Sequence, residues 1–328
     1  MRRVQGTEGI RAAAAVLRAG GLAAFPTETV YGLGADARRE VAVARIFAAK
    51  GRPADNPLIV HVPDLDRART LAATWPAMAE GLARRFWPGP LTLVVPASGD
   101  IARSARAGLD TVGIRCPDHA LALSLLEAAD LPVAAPSANR SGRPSPTTAD
   151  AVLDDLADVE GLVLDGGPTG IGVESTVLDV SGPAAVLLRP GGLGREAIEE
   201  EVGPVLLPEE TGVPRAPGMK YRHYAPALPV TLLRLPEAEA VREIRRSFDP
   251  RTTGVLAPTG VRTALDEFRG VDLGEDAESA AARLFSGLRR LEREPGLSRI
   301  VAVWRDTRGR GLAVMNRLEK AAGEGEHG

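Results

Sequence analysis

With 328 residues, 44% hydrophobic and 25% charged, the chain can form two separately cored domains and lacks the composition of a disordered protein. A net charge of −3 argues against a protein whose main business is coating nucleic acid. The single cysteine, Cys116, excludes a disulfide framework and a cysteine-based zinc site, and no run reaches the roughly 18 apolar residues of a membrane span, so the expectation is a cytoplasmic protein.

The segment "AAAAVL" near the start reads as a short amphipathic helix, because Arg18 interrupts it and no cleavage-type segment follows. "GLAAFPT" (21–27) reads as a strand and "REVAVARIFAAK" (39–50) as a helix with Ala42, Ile46 and Ala49 at helical spacing. Strand patterns follow at 58–62, 91–95, 112–116, 132–136, 161–165, 175–180 and 185–189, with helical segments between several of them, notably 119–129. That alternation predicts an α/β domain over 1–206, built on a large, twisted, mixed sheet. From 207 to 229 the periodicity stops in a proline-rich connection, and connections of that length are usually functional or disordered. Strands at 230–235, 253–258 and 299–305, alternating with helices at 238–248 and 278–294, then predict a small Rossmann-like open-sheet domain over 230–328.

Several segments carry chemistry. "FPTETVYGLGADA" (25–37) ends a strand and runs toward a helix, and its small and hydroxyl residues let a ligand approach the backbone; a tight strand–helix turn is the plainer account. In "KGRPADNPLIVHV" (50–62), Lys50 and Arg52 complement a helix C-terminus, which leaves Asn56 and the strand residue His61 unexplained. Lys50 is one of only three lysines beside 37 arginines, which suggests a site needing a compact point charge. Arg115 sits in an apolar strand, where a buried guanidinium requires either an internal carboxylate or an anionic ligand. The loop "APSANRSGRPSPTT" (135–148) can form an anion-binding nest, and "VESTVLDV" with "LLRPGG" adds Ser175 and Arg189. Cations and hydroxyls without an evident covalent nucleophile suit phosphoryl or nucleotidyl transfer.

"PTETVYGLG", "KGRPADNPLIVHV", "WPGPLTLV", "VGIRCPDH", "PSANRSGRPSPT" and "EST", in this order, resemble the YrdC-like threonylcarbamoyl-AMP synthases, and "PGMKYRHYAP" before a small α/β domain resembles their long, two-domain form. The resemblance implies synthesis of L-threonylcarbamoyl-AMP from L-threonine, bicarbonate or CO2, and ATP. Pyrophosphate is released and Mg2+ rides on the ATP, in the first step of tRNA N6-threonylcarbamoyladenosine modification. It implies a threonine pocket of Thr29, His61, Arg115, Ala135, Ser137 and Ser175. It implies ATP contacts from Lys50, Arg52, Asn56, Thr111, Ser137, Ser145, Arg189 and Tyr224, with Lys50, Arg52 and Ser137 nearest the chemistry. The 207–229 stretch, with its rare lysine Lys220, would then be a lid in which Tyr221, His223 and Tyr224 cover the nucleotide, and the product would pass to the tRNA threonylcarbamoyl transferase. An RNA-binding module of the same type is the alternative. The low net charge and the absence of a basic stripe with interleaved aromatics speak against stable nucleic-acid binding.

Overall fold

The computed structural model describes residues 1–208 and 224–323, in two compact units. The first comprises Met1–Ser141, Pro146–Gly170 and Glu174–Lys220. The second comprises Gly142–Ser145, Ile171–Val173 and Tyr221–Gly328. The lid expected over 207–229 lies mostly outside the described residues, as do Lys220, Tyr221 and His223.

The first unit is built on strands β1 (Arg2–Val4), β2 (Ala23–Phe25), β3 (Gly32–Asp36), β4 (Ile59–His61), β5 (Leu91–Pro96), β6 (Thr111–Arg115), β7 (Val133–Ala134), β8 (Leu162–Leu164), β9 (Thr176–Asp179) and β10 (Val186–Arg189). They form one mixed sheet in the order β1-β8-β2-β3-β7-β4-β6-β5-β9-β10. One side of it is covered by helices Gly6–Arg18 and Ala120–Ala129. Their Ala13, Ala14, Leu17, Leu125 and Leu126 pack with Phe25, Val133 and Leu164 into a dry core. Removing such side chains from water stabilises by about 1.5–3 kcal/mol for each large one, so this layer holds the sheet together.

The segment 25–37 leads to the helix Glu40–Lys50 by way of a strand the sequence did not reveal: the chain turns back after β2 and β3 pairs with it antiparallel, Ala23 opposite Gly34 and Phe25 opposite Gly32. Glycine is a poor strand former, which hid β3. Here it is needed, because a Cβ on Gly34 would lie 2.7 Å from Val133 and 2.9 Å from Phe25.

The second unit carries strands β11 (Val230–Leu233), β12 (Thr253–Ala257), β13 (Arg269–Asp272) and β14 (Arg299–Val303), all parallel, in the order β11-β14-β12-β13. Its helices bury Ala240, Ile244 and Val261 against Val255, Val301 and Val303. No helix among the described residues is long and apolar enough to cross a membrane.

Candidate active site

Register gathers the polar side chains of the first unit on one face of its sheet. His61 at the end of β4 pairs with Arg115 at the end of β6. Thr92 pairs with Val177, and Arg189 pairs with Val177 from the other side. Leu93 opposes Ile114, which sets Thr92 beside Arg115 one step along. His61, Arg115, Thr92, Val177 and Arg189 therefore form a row across five adjacent strands. Side chains alternate along a strand, so Thr111 and Gly113 share the face of Arg115. Ile59, Val94, Val177 and Leu188 make its apolar middle. Thr111 begins β6 and Arg115 ends it, which separates them by about 13 Å along the strand.

At the row, every polar group is withdrawn from water. Arg115 is 3% exposed; its Nε donates to Gly89 O at 3.2 Å and its Nη2 lies 2.6 Å from Glu28 Oε2. The sequence left open whether Arg115 meets an internal carboxylate or a ligand, and Glu28 is an internal carboxylate. The contact is close but poorly aligned: among the described residues, Arg115 Nη2 and both Glu28 oxygens lack a hydrogen-bond partner. His61 is buried, its ring edge-on to Phe25 at 5.9 Å, with Nδ1 unpartnered. Burial, aided by the Arg115 charge, pushes its pKa down to about 3, so the imidazole is neutral. Ser175 Oγ lies 2.8 Å from Thr92 Oγ1 and accepts from Arg189 Nη2 at 3.2 Å, while Ser175 O accepts from the same guanidinium at 2.9 Å. Beside Arg115, Cys116 donates its thiol proton to Pro63 O and has its pKa pushed up to about 12 by burial; it is a buried, inert thiol.

Two loops close on this face. The turn after β2 is braced by Thr27, whose hydroxyl donates to Val30 O and accepts from the Thr29 and Val30 amides. The Thr29 hydroxyl is buried against it at 2.7 Å. Leu33 N donates to Pro136 O and Ala138 N to Tyr31 O, which docks the 136–138 segment on that turn, and Ala135 N donates to Ile59 O. Ala135 and half-buried Ser137 are thus held beside β4.

The helix Glu40–Lys50 ends at Gly51 in the left-handed conformation, φ 60°. Lys50 is 3% exposed, and its ammonium donates to Ser137 O and Asn139 O; Lys50 O in turn accepts from Ser141 N. Burial, then the nearby Arg52 charge, holds its pKa well below that of an ordinary lysine. Arg52 donates to Asn56 O and Pro57 O. Asn56 is fully buried, yet neither end of its amide has a hydrogen-bond partner among the described residues.

Ser145 and Tyr224 belong to the second unit, and both are buried. Tyr224 has a left-handed backbone, φ 64°, uncommon for a side chain of that size. Its ring stacks on Phe285 at 5.5 Å, with the Arg317 guanidinium 5.1 Å from the ring centre. Sequence reading passed over two residues of the face. Thr92 lay in an unremarkable strand pattern, and Glu28 was quoted within its motif but given no role; a carboxylate inside an apolar strand–turn segment was the available signal.

Among the described residues no group of three or more histidine, cysteine or acidic side chains is placed to hold a metal ion. The family described as "Telomere recombination", covering Sua5, YciO and YrdC proteins, matches residues 15–191, and that described as "Threonylcarbamoyl-AMP synthase, C-terminal domain" matches 193–323. The chain is 48% identical to a threonylcarbamoyl-AMP synthase of Pyrococcus abyssi, over 96% of this chain and 94% of that one. It is 46% identical to the Bacillus subtilis protein of the same name, over 96% and 93%. The crystal structure of P. abyssi Sua5 complexed with L-threonine superposes with a TM-score of 0.91 at 45% identity, covering 99% of this chain and 98% of that chain.

Proposed function

The chain belongs to the threonylcarbamoyl-AMP synthase family and synthesises threonylcarbamoyl-AMP, and we propose that the polar face of its ten-stranded sheet is where threonine and nucleotide meet. Bicarbonate or CO2 supplies the carbamoyl carbon, and ATP the adenylate, with Mg2+ entering on its phosphates. The threonine nitrogen captures the one-carbon unit as a carbamate, a carbamate oxygen attacks the α-phosphorus, and pyrophosphate leaves. No covalent enzyme intermediate is invoked; the protein contributes geometry and fixed charge. The product enters tRNA modification through a tRNA threonylcarbamoyl transferase, in the cytoplasm.

The observation that carries this reading is the buried row ending in Arg115 and His61. Arg115 offers the fork geometry that a substrate carboxylate engages, beside a histidine kept neutral. Thr29, Ala135, Ser137 and Ser175 are the further residues proposed for the threonine pocket. Asn56, with both amide atoms buried and unpartnered, supports a polar ligand at the Lys50–Arg52 segment. Thr111 and Arg189 complete the first unit's share of the proposed nucleotide contacts, and Ser145 and Tyr224 are the residues of the second unit that the family resemblance assigns to the nucleotide. The relatives named above are described as synthases, which favours this reading over an RNA-binding module. Pyrophosphate release measured with each reactant omitted in turn tests it. Release is expected only with threonine, bicarbonate and ATP together; release without threonine would defeat the assignment.

A further inference from the structure

Glu28 is outside the residues assigned above, yet its carboxylate is the partner the fold provides for Arg115. Three features set it apart from a structural ion pair. The pair is close, 2.6 Å, with side chains only 4% and 12% exposed, yet both Glu28 oxygens and Arg115 Nη2 are without hydrogen bonds. Buried carboxylates in stable networks are ordinarily saturated with donors, and among the described residues this one meets the Arg115 charge without an aligned donor. Its turn is braced, because the Thr27 hydroxyl just before Glu28 ties down the amides of Thr29 and Val30 just after it. Finally, His61 beside Arg115 is neutral and supplies no charge to an incoming ligand.

An α-amino acid carries its ammonium and carboxylate on one carbon. A guanidinium and a carboxylate side by side, neither with its hydrogen bonds completed, match that pair of charges and gain the missing bonds from it. We propose that Glu28 holds the α-ammonium of the amino-acid substrate next to the carboxylate held by Arg115, and so selects free α-amino acids and aims the nitrogen. The inference rests on the reading of Arg115 as the carboxylate clamp.

The test is calorimetry on the full chain with L-threonine, with L-threoninamide and with 2,3-dihydroxybutanoate, in which a hydroxyl replaces the ammonium. The wild type is expected to bind threonine at least about tenfold more tightly than the dihydroxy acid. Glu28→Gln should lose at least about tenfold in threonine affinity, leave the dihydroxy acid unaffected and leave the KM for ATP in place. Glu28→Asp should recover part of the threonine affinity. Threonine binding by Glu28→Gln as tight as, or tighter than, that of the wild type would overturn the proposal, since Glu28 would then only compete for Arg115. If Glu28→Gln does not fold, the wild-type comparison decides: equal affinity for threonine and the dihydroxy acid overturns it. The premise is read separately, because threoninamide binding the wild type as tightly as threonine would defeat the Arg115 clamp itself.

Discussion

Two buried cations of the first unit, Arg115 and Lys50, are equally hidden, each 3% exposed, and are held in opposite ways. Lys50 directs its ammonium at two backbone carbonyls, Ser137 O and Asn139 O, and its own carbonyl takes the Ser141 amide. Arg115 faces a carboxylate with which it makes no aligned hydrogen bond, beside a histidine whose Nδ1 has no partner. The first arrangement is the local completion of a helix end and a loop. The second keeps polar groups buried and incompletely bonded, which folding alone disfavours and a ligand would resolve. The contrast separates a cation whose bonds the fold completes from one whose bonds it leaves open, although both stood out in the sequence, Lys50 as a rare lysine and Arg115 as a charge in an apolar strand.

The sharpest way to break the contrast is Arg115→Ala. It removes the proposed clamp and leaves Glu28 buried without a counter-charge, a change that destabilises by about 3–5 kcal/mol. Threonine binding should vanish from calorimetry, and the urea midpoint should fall. Adding Glu28→Gln to Arg115→Ala should restore much of the stability and none of the threonine binding. If the double variant is no more stable than the single one, the pair is not the source of the loss.

Lys50→Met should cost less, about 1–3 kcal/mol, by leaving the Ser137 and Asn139 carbonyls without their donor in a buried place. The expected sign is a lowered urea midpoint together with weakened ATP binding, because the loop that Lys50 braces also carries Ser137. Full stability with lost ATP binding would mean that Lys50 acts on the phosphates directly, and the contrast with Arg115 would collapse.

Much of this was legible in the residues and some was not, for identifiable reasons. The alternation of strands and helices, the parallel second sheet and the family motifs are all carried by side-chain type and spacing. The return of β3 was hidden because its glycines are chosen for contact with Phe25 and Val133, and carry no strand signal of their own. Glu28 was passed over for a different reason. Its importance lies in a missing hydrogen bond to a residue 87 positions away, and no local pattern encodes a missing bond. Asn56 stood out in the sequence as unexplained, and both ends of its buried amide are without partners.

His61 gives a smaller effect that belongs to the Arg115 side. Its folded pKa, about 3, is far below the ordinary 6.5, so between those values the unfolded chain binds a proton that the folded chain refuses. Stability from this group is therefore complete above about pH 6.5 and is lost as pH falls toward 3, with a limiting slope of about 1.4 kcal/mol per pH unit. His61→Asn should flatten that part of the stability–pH curve measured by urea unfolding at pH 5 and 7. An unchanged slope would show that His61 charges readily in the folded protein and is not the neutral neighbour that leaves Arg115 and Glu28 as the charges of the site.

The smallest expected effect is at Ser175, which sits between the two kinds of bonding. Its hydroxyl meets Thr92 and Arg189, while its backbone oxygen already takes two donors from the same guanidinium, at 2.9 and 3.2 Å. Ser175→Ala therefore leaves Arg189 anchored and removes only the hydroxyl bonds, at a cost of about 1 kcal/mol. If the row is a substrate surface, the loss should appear chiefly in the KM for threonine, since the hydroxyl lies at the Arg115 end of the face, and the urea midpoint should shift little. If stability falls by the full amount while the KM for threonine stays fixed, Ser175 is bonded as Lys50 is, for the fold. The substrate-facing part of the row would then shrink to His61 and Arg115, with Glu28 against them from the turn after β2.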